Sequence, residues 1–313
     1  FIECNDNICN YLTFIVPSRW FAGGKGLDKF RKMMLKRKDI VYINHCDDAC
    51  KIFGNSVEIK GGVNYFLIDK SYKGLCNYNG SNVDLNKYDI MVESKFYSII
   101  EKLANFNSLS NNFIGQSYSG INSNDERLIN EKTKTSLLCY VSQIKGKIKY
   151  IEKDKLNKTR DFNKWKVITT RSAFGANSAF GNMFIGKPNE LCNQSYVLFE
   201  VANEREAKSL LSYLKCKLPN LMLSIRKLSQ DISENTCKWI PIPSLDKEWN
   251  DIDVYKYFKL TKEEIKLVKE IKISGYKDII KKEINGNIDS TSEIKINVKL
   301  KPKKSNKSKT IVV

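Results

Sequence analysis

The strongest constraint on the fold lies near the start of the chain, where residues 11–17 read Tyr-Leu-Thr-Phe-Ile-Val-Pro. A nearly continuous apolar run that ends at a proline predicts a strand buried on both faces, as in a parallel sheet. A glycine-rich turn follows at residues 23–26, and residues 27–37 then place apolar side chains at helical spacing. Residues 39–44 are strand-like again. The order strand, helix, strand predicts a right-handed crossover in an α/β sheet.

The apolar pattern lapses over residues 71–87, where turn-forming Asn and Gly dominate. We therefore predict a first domain over residues 1–85 and a second, mixed α/β domain over residues 86–273. Its expected elements are strands at 136–142, 147–152, 165–170 and 195–201, helices at 204–216 and 221–230, and a last helix from about residue 262 to 273. Residues 274–313 are rich in lysine, and we expect a basic, disordered tail there.

The charge balance favours a polyanionic partner. The 313 residues carry a formal net charge of +18, and cationic side chains gain affinity for nucleic acid by releasing its counterions. Double-stranded DNA is the expected partner. The alternative is a merely solvated basic surface, because Lys, Asn and Ile are abundant throughout, as an AT-rich genome would produce. The chain has no run of eighteen apolar residues, so we expect no membrane span, and its cysteine pattern favours reduced thiols in a cytoplasmic protein.

Metal and nuclease chemistry have little support in the sequence. The nine cysteines form no CxxC pair and His45 is the only histidine, which favours reduced thiols over a zinc site or a disulfide framework. A nuclease needs paired acids near a Glu-x-Lys triplet to hold magnesium. Such triplets recur along the chain, for example at residues 58–60, 93–95, 264–266 and 293–295, as chance gives in a chain so rich in lysine. The sequence therefore predicts neither a metal site nor a nuclease.

Three parts of the chain carry a family resemblance. Residues 12–21 read Leu-Thr-Phe-Ile-Val-Pro-Ser-Arg-Trp-Phe, a strand that ends in a proline and an aromatic residue. Residues 53–67 read Phe-Gly-Asn-Ser-Val-Glu-Ile-Lys-Gly-Gly-Val-Asn-Tyr-Phe-Leu. The third part comprises residues 209–214 and 224–230, Trp239-Ile240-Pro241 and Trp249-Asn250-Asp251. The first two resemble the late strand and the last hairpin strand of gamma-class DNA amino-methyltransferases from restriction-modification systems. The third resembles that family's C-terminal target-recognition domain.

The resemblance implies the C-terminal part of a Rossmann-like methyltransferase sheet, followed by a mixed α/β target-recognition domain that binds DNA. The parent enzyme would transfer a methyl group from S-adenosylmethionine to adenine N6 at a specific sequence. The family's Gly-rich cofactor loop and its Asn-Pro-Pro-Tyr or Asp-Pro-Pro-Tyr motif are both absent, and the chain contains no Pro-Pro pair. Those motifs precede the late strand in the family, and the chain starts with Phe1. We therefore expect an incomplete fragment that is inactive alone.

A second hypothesis remains open at this point. The chain could be a non-enzymatic DNA-binding module that supplies specificity to a separate catalytic half, and its protein partner would then be that N-terminal half or a restriction nuclease. Reading the DNA upstream of the Phe1 codon would separate the two hypotheses.

The resemblance also implies a wall of the pocket that receives a flipped target base, because chemistry on a stacked base requires its extrusion. Tyr65 and Phe66 are the candidates, and strand alternation allows only one of them to face the pocket. The alternative is that they are ordinary core aromatics. The glycine-rich loop at residues 23–26 is better explained as a plain strand-to-helix turn than as a site for DNA phosphate.

Six polar side chains in the second domain are the predicted DNA contacts, since Lys and Arg bind phosphates whereas Arg and Gln also reach base edges. They are Lys164, Lys166, Arg171, Arg226, Lys227 and Gln230. Helical spacing over residues 221–230 would turn the leucine and isoleucine side chains to a core and the last three of these polar residues outward. The alternative for each is a solvated surface residue. No catalytic residue is predicted.

Overall fold

The computed structural model describes residues 2, 8–23, 26–54, 59, 61–115, 118–141, 147–156, 161–172, 177–228 and 230–277. All but the first four residues of the predicted basic tail lie outside the described residues, as do two residues of the glycine-rich turn and most of residues 55–60. Within the described ranges, no helix has the length and apolar character needed to cross a membrane.

Strands and helices alternate only near the start of the chain; later, the strands between residues 113 and 201 follow one another and the last helices come after them. The strands are β1 (Tyr11–Pro17), β2 (Ile40–Cys46), β3 (Val63–Asp69), β4 (Cys76–Tyr78), β5 (Ser81–Val83), β6 (Phe113–Ile114), β7 (Leu128–Ile129), β8 (Ser136–Tyr140), β9 (Ile148–Glu152), β10 (Trp165–Thr170), β11 (Met183–Gly186), β12 (Leu191–Cys192) and β13 (Tyr196–Val201). The helices are α1 (Asp28–Lys36), α2 (Cys50–Phe53), α3 (Tyr97–Leu103), α4 (Glu204–Lys215), α5 (Lys217–Arg226), α6 (Glu234–Cys237), α7 (Asp251–Tyr257) and α8 (Lys262–Glu270).

The first sheet has the strand order β1-β3-β2-β4-β5. Strand β3 is antiparallel to both β1 and β2, so these two run parallel to each other with β3 between them. Helix α1 connects them and buries Arg31, Met34 and Leu35, which lie at helical spacing. Together with the mixed composition of the rest of the chain, this arrangement confirms the predicted α/β class.

The prediction that residues 11–17 are buried on both faces is wrong for this chain. Strand β1 is an edge strand on which Tyr11 is 64% and Ile15 55% exposed. On the other face, Phe14 and Val16 are half-buried beside an open apolar pocket of about 550 Å³, which Phe30 of α1 also lines. The apolar run shows only that the side chains of β1 could be buried. Among the described residues, no segment covers the outer edge of this strand.

The second part of the chain contains two four-stranded sheets, ordered β11-β10-β13-β6 and β12-β8-β9-β7. Successive residues of β10 and β13 point into two different cores. Val167 and Phe199 pack against the helices α3 to α8, whereas Ile168 and Leu198 pack between the two sheets. Because successive strand residues point to opposite faces, the sheet of β10 is the middle layer of this part.

The segment that joins the two parts is packed into both. Leu85 and Met91 belong to the core of the first sheet, whereas Ile90 and Val92 belong to the core of the helices. The Met91 amide also donates to the carbonyl of Phe21 at 2.9 Å. The two parts thus share a seam of buried side chains, and the domain boundary after residue 85 stays a prediction.

Candidate nucleic-acid interface

The carboxyl ends of β1 and β2 meet at one edge of the first sheet, with the start of β3 between them. The Ser18 amide donates to the Gly62 carbonyl at 3.0 Å, and a Cβ on Gly62 would lie 2.0 Å from the carbonyl oxygen of Cys46. Gly61 and Gly62 both have positive φ, of 82° and 71°. Only glycine fits this turn without strain. In open α/β sheets, ligands bind outside the carboxyl ends of the strands, so this edge is the candidate site.

One segment of the second part lies against this edge, and a second segment is bound to it. The Leu228 carbonyl oxygen lies 3.6 Å from the position of a Cβ on Gly61, and the Leu228 side chain packs against both cores. Ser172 forms a β-bridge with Asp231 and their side chains are hydrogen-bonded. The Ile232 amide donates to the Arg171 carbonyl at 2.8 Å, which ties the loops together. We call this group the junction; it comprises Gly61, Gly62, Arg171, Ser172, Leu228, Gln230 and Asp231.

The structure brings together only two of the six predicted DNA contacts in an accessible position. Arg171 is half-buried, with its Nε 3.9 Å from the Asp231 carboxylate, and Gln230 beside Asp231 is exposed. Lys164 is also exposed, but it precedes β10 whereas Arg171 follows it. Six strand residues separate these positions by roughly 20 Å. Arg171 and Gln230 therefore share the junction, and Lys164 does not.

Lys166 does not lie on the surface where the sequence analysis placed it. Its side chain points from β10 into the space between the two sheets and is fully buried. The ammonium donates to the Glu190 carbonyl at 2.9 Å, the Tyr118 hydroxyl at 3.3 Å and the Phe162 carbonyl at 3.4 Å. Burial lowers the pKa of Lys166 to about 8. A side chain enclosed in this way has no access to a DNA phosphate.

Arg226 and Lys227 are likewise buried, at 2% and 3% exposure, and the prediction that both point outward is wrong. The Arg226 guanidinium binds the Asp89 carboxylate, and the Lys227 ammonium donates to the Asn177 carbonyl at 2.6 Å. Helical spacing places both residues on the side of the helix opposite to its leucine and isoleucine side chains. Other segments of the chain cover that side of α5, and the spacing within one helix holds no information about them.

The two candidate aromatics of β3 lie on opposite faces, as strand alternation requires. Phe66 is fully buried in the core of the first sheet, where its ring meets that of Phe14 at 6.3 Å, so it is a core side chain. Tyr65 is 39% exposed and lies beside Tyr42 on the open face. Its role as a pocket wall stays a prediction.

A further exposed aromatic residue, not predicted from the sequence, lies on the segment that follows the end of β2. Phe53, which is 43% exposed, lies on the short helix α2 that follows the end of β2. The sequence feature that could have indicated this exposed residue is an apolar Ile-Phe pair between a polar turn and Gly54. The pair lacks the periodicity of a buried strand or helix.

The described residues include no group of His, Cys, Asp and Glu side chains that could hold a metal ion. Burial raises the pKa of Cys76, Cys192 and Cys237 to about 12, so these thiols are protonated and unreactive at neutral pH. The side chains available at the junction are those of Arg, Ser, Asp and Gln, groups that can bind phosphates and base edges.

Comparison with known proteins gives a family match for one segment of the chain. Residues 1–53 match the sequence model of the family described as Eco57I restriction-modification methylase. No curated protein gives a significant match. Among solved structures, the type IIG restriction endonuclease BpuSI is 14% identical with a TM-score of 0.37, over 87% of this chain and 44% of that one. The type IIL restriction-modification enzyme MmeI, solved in complex with DNA, is 9% identical with a TM-score of 0.39, over 79% of this chain and 39% of that one.

The chain thus spans less than half the length of both enzymes. The family match covers the late strand and the helix that follows it, where the first part of the resemblance was found in the sequence. The resemblance to a restriction-modification methylase is therefore confirmed over residues 1–53.

Proposed function

We propose that this chain is the portion of a site-specific DNA adenine methyltransferase that completes the catalytic sheet and holds the DNA target. The observation that carries the proposal is the match of residues 1–53 to the Eco57I restriction-modification methylases. The strand order β1-β3-β2, with an antiparallel strand between two parallel ones, supports it as the end of a Rossmann-like sheet.

The parent enzyme would use S-adenosylmethionine to methylate adenine N6. The Gly-rich cofactor loop and the Pro-Pro motif that the resemblance assigns to these steps are absent from the 313 residues. The chain would therefore contribute DNA binding and not the transfer of the methyl group. The carboxyl edge of the first sheet is the place where a target base would approach, since ligands of α/β sheets bind there.

We place the DNA at the junction. Arg171 and Gln230 supply one phosphate-binding and one base-reading side chain, and Arg19 is exposed one residue beyond Ser18, which contacts Gly62. The exposed ring of Phe53 follows the end of β2 at the same edge, and an aromatic face is what a flipped base stacks on. Phe53 is thus a stronger candidate for the pocket wall than Phe66.

Titration of the chain with duplex DNA at several salt concentrations tests the proposal. A net charge of +18 should neutralise several phosphates, so the logarithm of the affinity should fall steeply with the logarithm of salt concentration. Affinity that stays flat between low and physiological salt would contradict DNA binding.

A second function is favoured by the open edge of β1. An unpaired edge strand with exposed apolar side chains accepts another strand, and Tyr11 and Ile15 provide such a surface. The chain could then be a specificity module that pairs with a separate catalytic half. Both functions use the same junction for DNA. They differ in whether the cofactor and catalytic motifs belong to the same polypeptide, which the upstream reading frame decides.

A further inference from the structure

Arg226, which precedes the junction residues Leu228 and Gln230, makes a nearly complete set of contacts. Its two terminal amino groups donate to the Asp89 carboxylate at 2.8 and 2.7 Å. Its Nε donates to the Asn235 carbonyl at 2.9 Å, and a terminal nitrogen also reaches the Asn235 side chain at 2.7 Å. The guanidinium lies 4.3 Å from the centre of the Trp239 ring. These contacts use most of its donors, so Arg226 has a fixed position in the interior.

Asp89 lies on the segment that joins the two parts of the chain. The next residues, Ile90 and Met91, are buried in the core of the helices and in the core of the first sheet respectively. The ion pair therefore fastens the end of α5 to the seam between the cores. Asp89 itself is half exposed, which places the pair at the surface end of the seam.

The residues after Arg226 lead directly to the junction. The Lys227 ammonium donates to the carbonyl of Asn177, five residues after the junction residue Ser172 in the sequence. Leu228 packs into both cores and its carbonyl lies against Gly61. Residues 230–231 follow within the junction. Arg226, Lys227 and Leu228 thus fix the position of residues 230–231 relative to the carboxyl edge of the first sheet.

We infer that the Arg226–Asp89 ion pair positions the junction for DNA. The inference rests on the proposed function. Arg226 is then a positioning residue that acts through Lys227 and Leu228, and it touches no DNA itself. The planar guanidinium of arginine suits this role, because it binds the Asp89 carboxylate and the Asn235 groups at once. A lysine ammonium is a single point charge on a shorter side chain.

The test compares Arg226→Lys with a matched control elsewhere in the same core. Glu264 is 5% exposed and accepts from Lys102 and Ser98, so Glu264→Gln weakens a buried polar cluster far along the chain from the junction. The double variant Arg226→Lys with Asp89→Glu keeps the pair and restores its reach, since glutamate is longer by one methylene. Hydrogen exchange of the backbone and affinity for duplex DNA are measured for each, at a temperature where all are folded.

We expect exchange at residues 61–63, 171–172 and 228–235 to rise about tenfold in Arg226→Lys. DNA affinity should fall about tenfold in the same variant. The double variant should recover part of both values, because it restores the link to residue 89 but not the hydrogen bonds to Asn235. Glu264→Gln should change neither. Unchanged exchange at the junction in Arg226→Lys would overturn the inference.

Altered exchange with wild-type DNA affinity would also overturn it, because the pair would then only stabilise the fold. Equal losses of affinity in Arg226→Lys and Glu264→Gln have the same meaning. A wild-type chain that binds no DNA would instead contradict the proposed function, and the exchange measurement would still decide whether the pair orders the junction.

Discussion

Arg226 and Asp89, 137 positions apart in sequence, form a two-pronged ion pair at the seam between the two parts of the molecule. Hydrogen bonds from Arg226 are the largest cause that holds the pKa of Asp89 below its ordinary value of 3.8. A carboxylate with a lowered folded-state pKa stabilises the fold above the unfolded pKa, and this contribution is lost as the pH falls through the folded pKa. The pair is therefore intact at neutral pH and fails in acid.

The buried amine of Lys166 predicts a pH dependence of stability. Its folded pKa of about 8 lies below the ordinary 10.5, so the unfolded chain binds more protons between these values. Stability relative to Lys166→Met should rise over this window, by on the order of 3 kcal/mol in total. Urea unfolding of both proteins at pH 7, 8, 9 and 10 measures the difference between their free energies of unfolding. The titration of buried Tyr and Cys residues affects both proteins and cancels in this difference. Parallel curves would show that Lys166 titrates normally.

Substitution of Gly62 should be far more harmful than substitution of Gly80. Both have positive φ, but a Cβ on Gly62 would meet the Cys46 carbonyl at 2.0 Å, whereas a Cβ on Gly80 meets nothing within 4 Å. Gly80→Ala should cost only the left-handed backbone, about 1 to 2 kcal/mol. Gly62→Ala should cost more than that, because the ends of β2 and β3 must move apart. Equal melting temperatures for the two variants would contradict the close approach described here.

The open edge of β1 predicts that a charge is tolerated there. Ile15→Lys should change the free energy of unfolding by less than about 0.5 kcal/mol, since the side chain is 55% exposed. Phe66→Ala on the neighbouring strand should cost about 3 to 5 kcal/mol, because that ring is fully buried. A large loss of stability in Ile15→Lys would mean that another part of the protein covers this face.

The absence of the cofactor and catalytic motifs predicts that the chain transfers no methyl groups by itself. Incubation with labelled S-adenosylmethionine and mixed-sequence DNA should give no label in adenine above a control without protein. Incorporation above that control would show that the chemistry resides in residues for which the sequence gives no motif.

DNA binding should depend on the junction and much less on the far end of β10. Loss of a phosphate contact in Arg171→Ala should weaken binding to all sequences about equally and reduce the salt slope by about 1. Loss of a base contact in Gln230→Ala should cost about 1 to 3 kcal/mol at one base position. Lys164→Ala is the control with the same loss of charge away from the junction. If it weakens binding as much as Arg171→Ala, DNA follows a different surface.

The sequence by itself determined most local elements of the second part, although the helix predicted at 221–230 lies at 217–226. The strands predicted at 136–142, 147–152, 165–170 and 195–201 lie within one or two residues of β8, β9, β10 and β13, because strand preference is largely a property of the local residues. Residues 12–21, the part of the resemblance that falls in the segment matched by the family model, could be recognised without a structure.

Only the tertiary structure decided which polar residues are accessible. Lys166, Arg226 and Lys227 are buried by segments distant in the chain, through contacts that no local spacing records. A cationic side chain can be buried when carbonyl or carboxylate groups of other segments offset the cost of its desolvation. Whether such acceptors lie close enough depends on how the sheets and helices pack. The same packing brought Gly61 against Leu228 and so created the junction, which the sequence could not place.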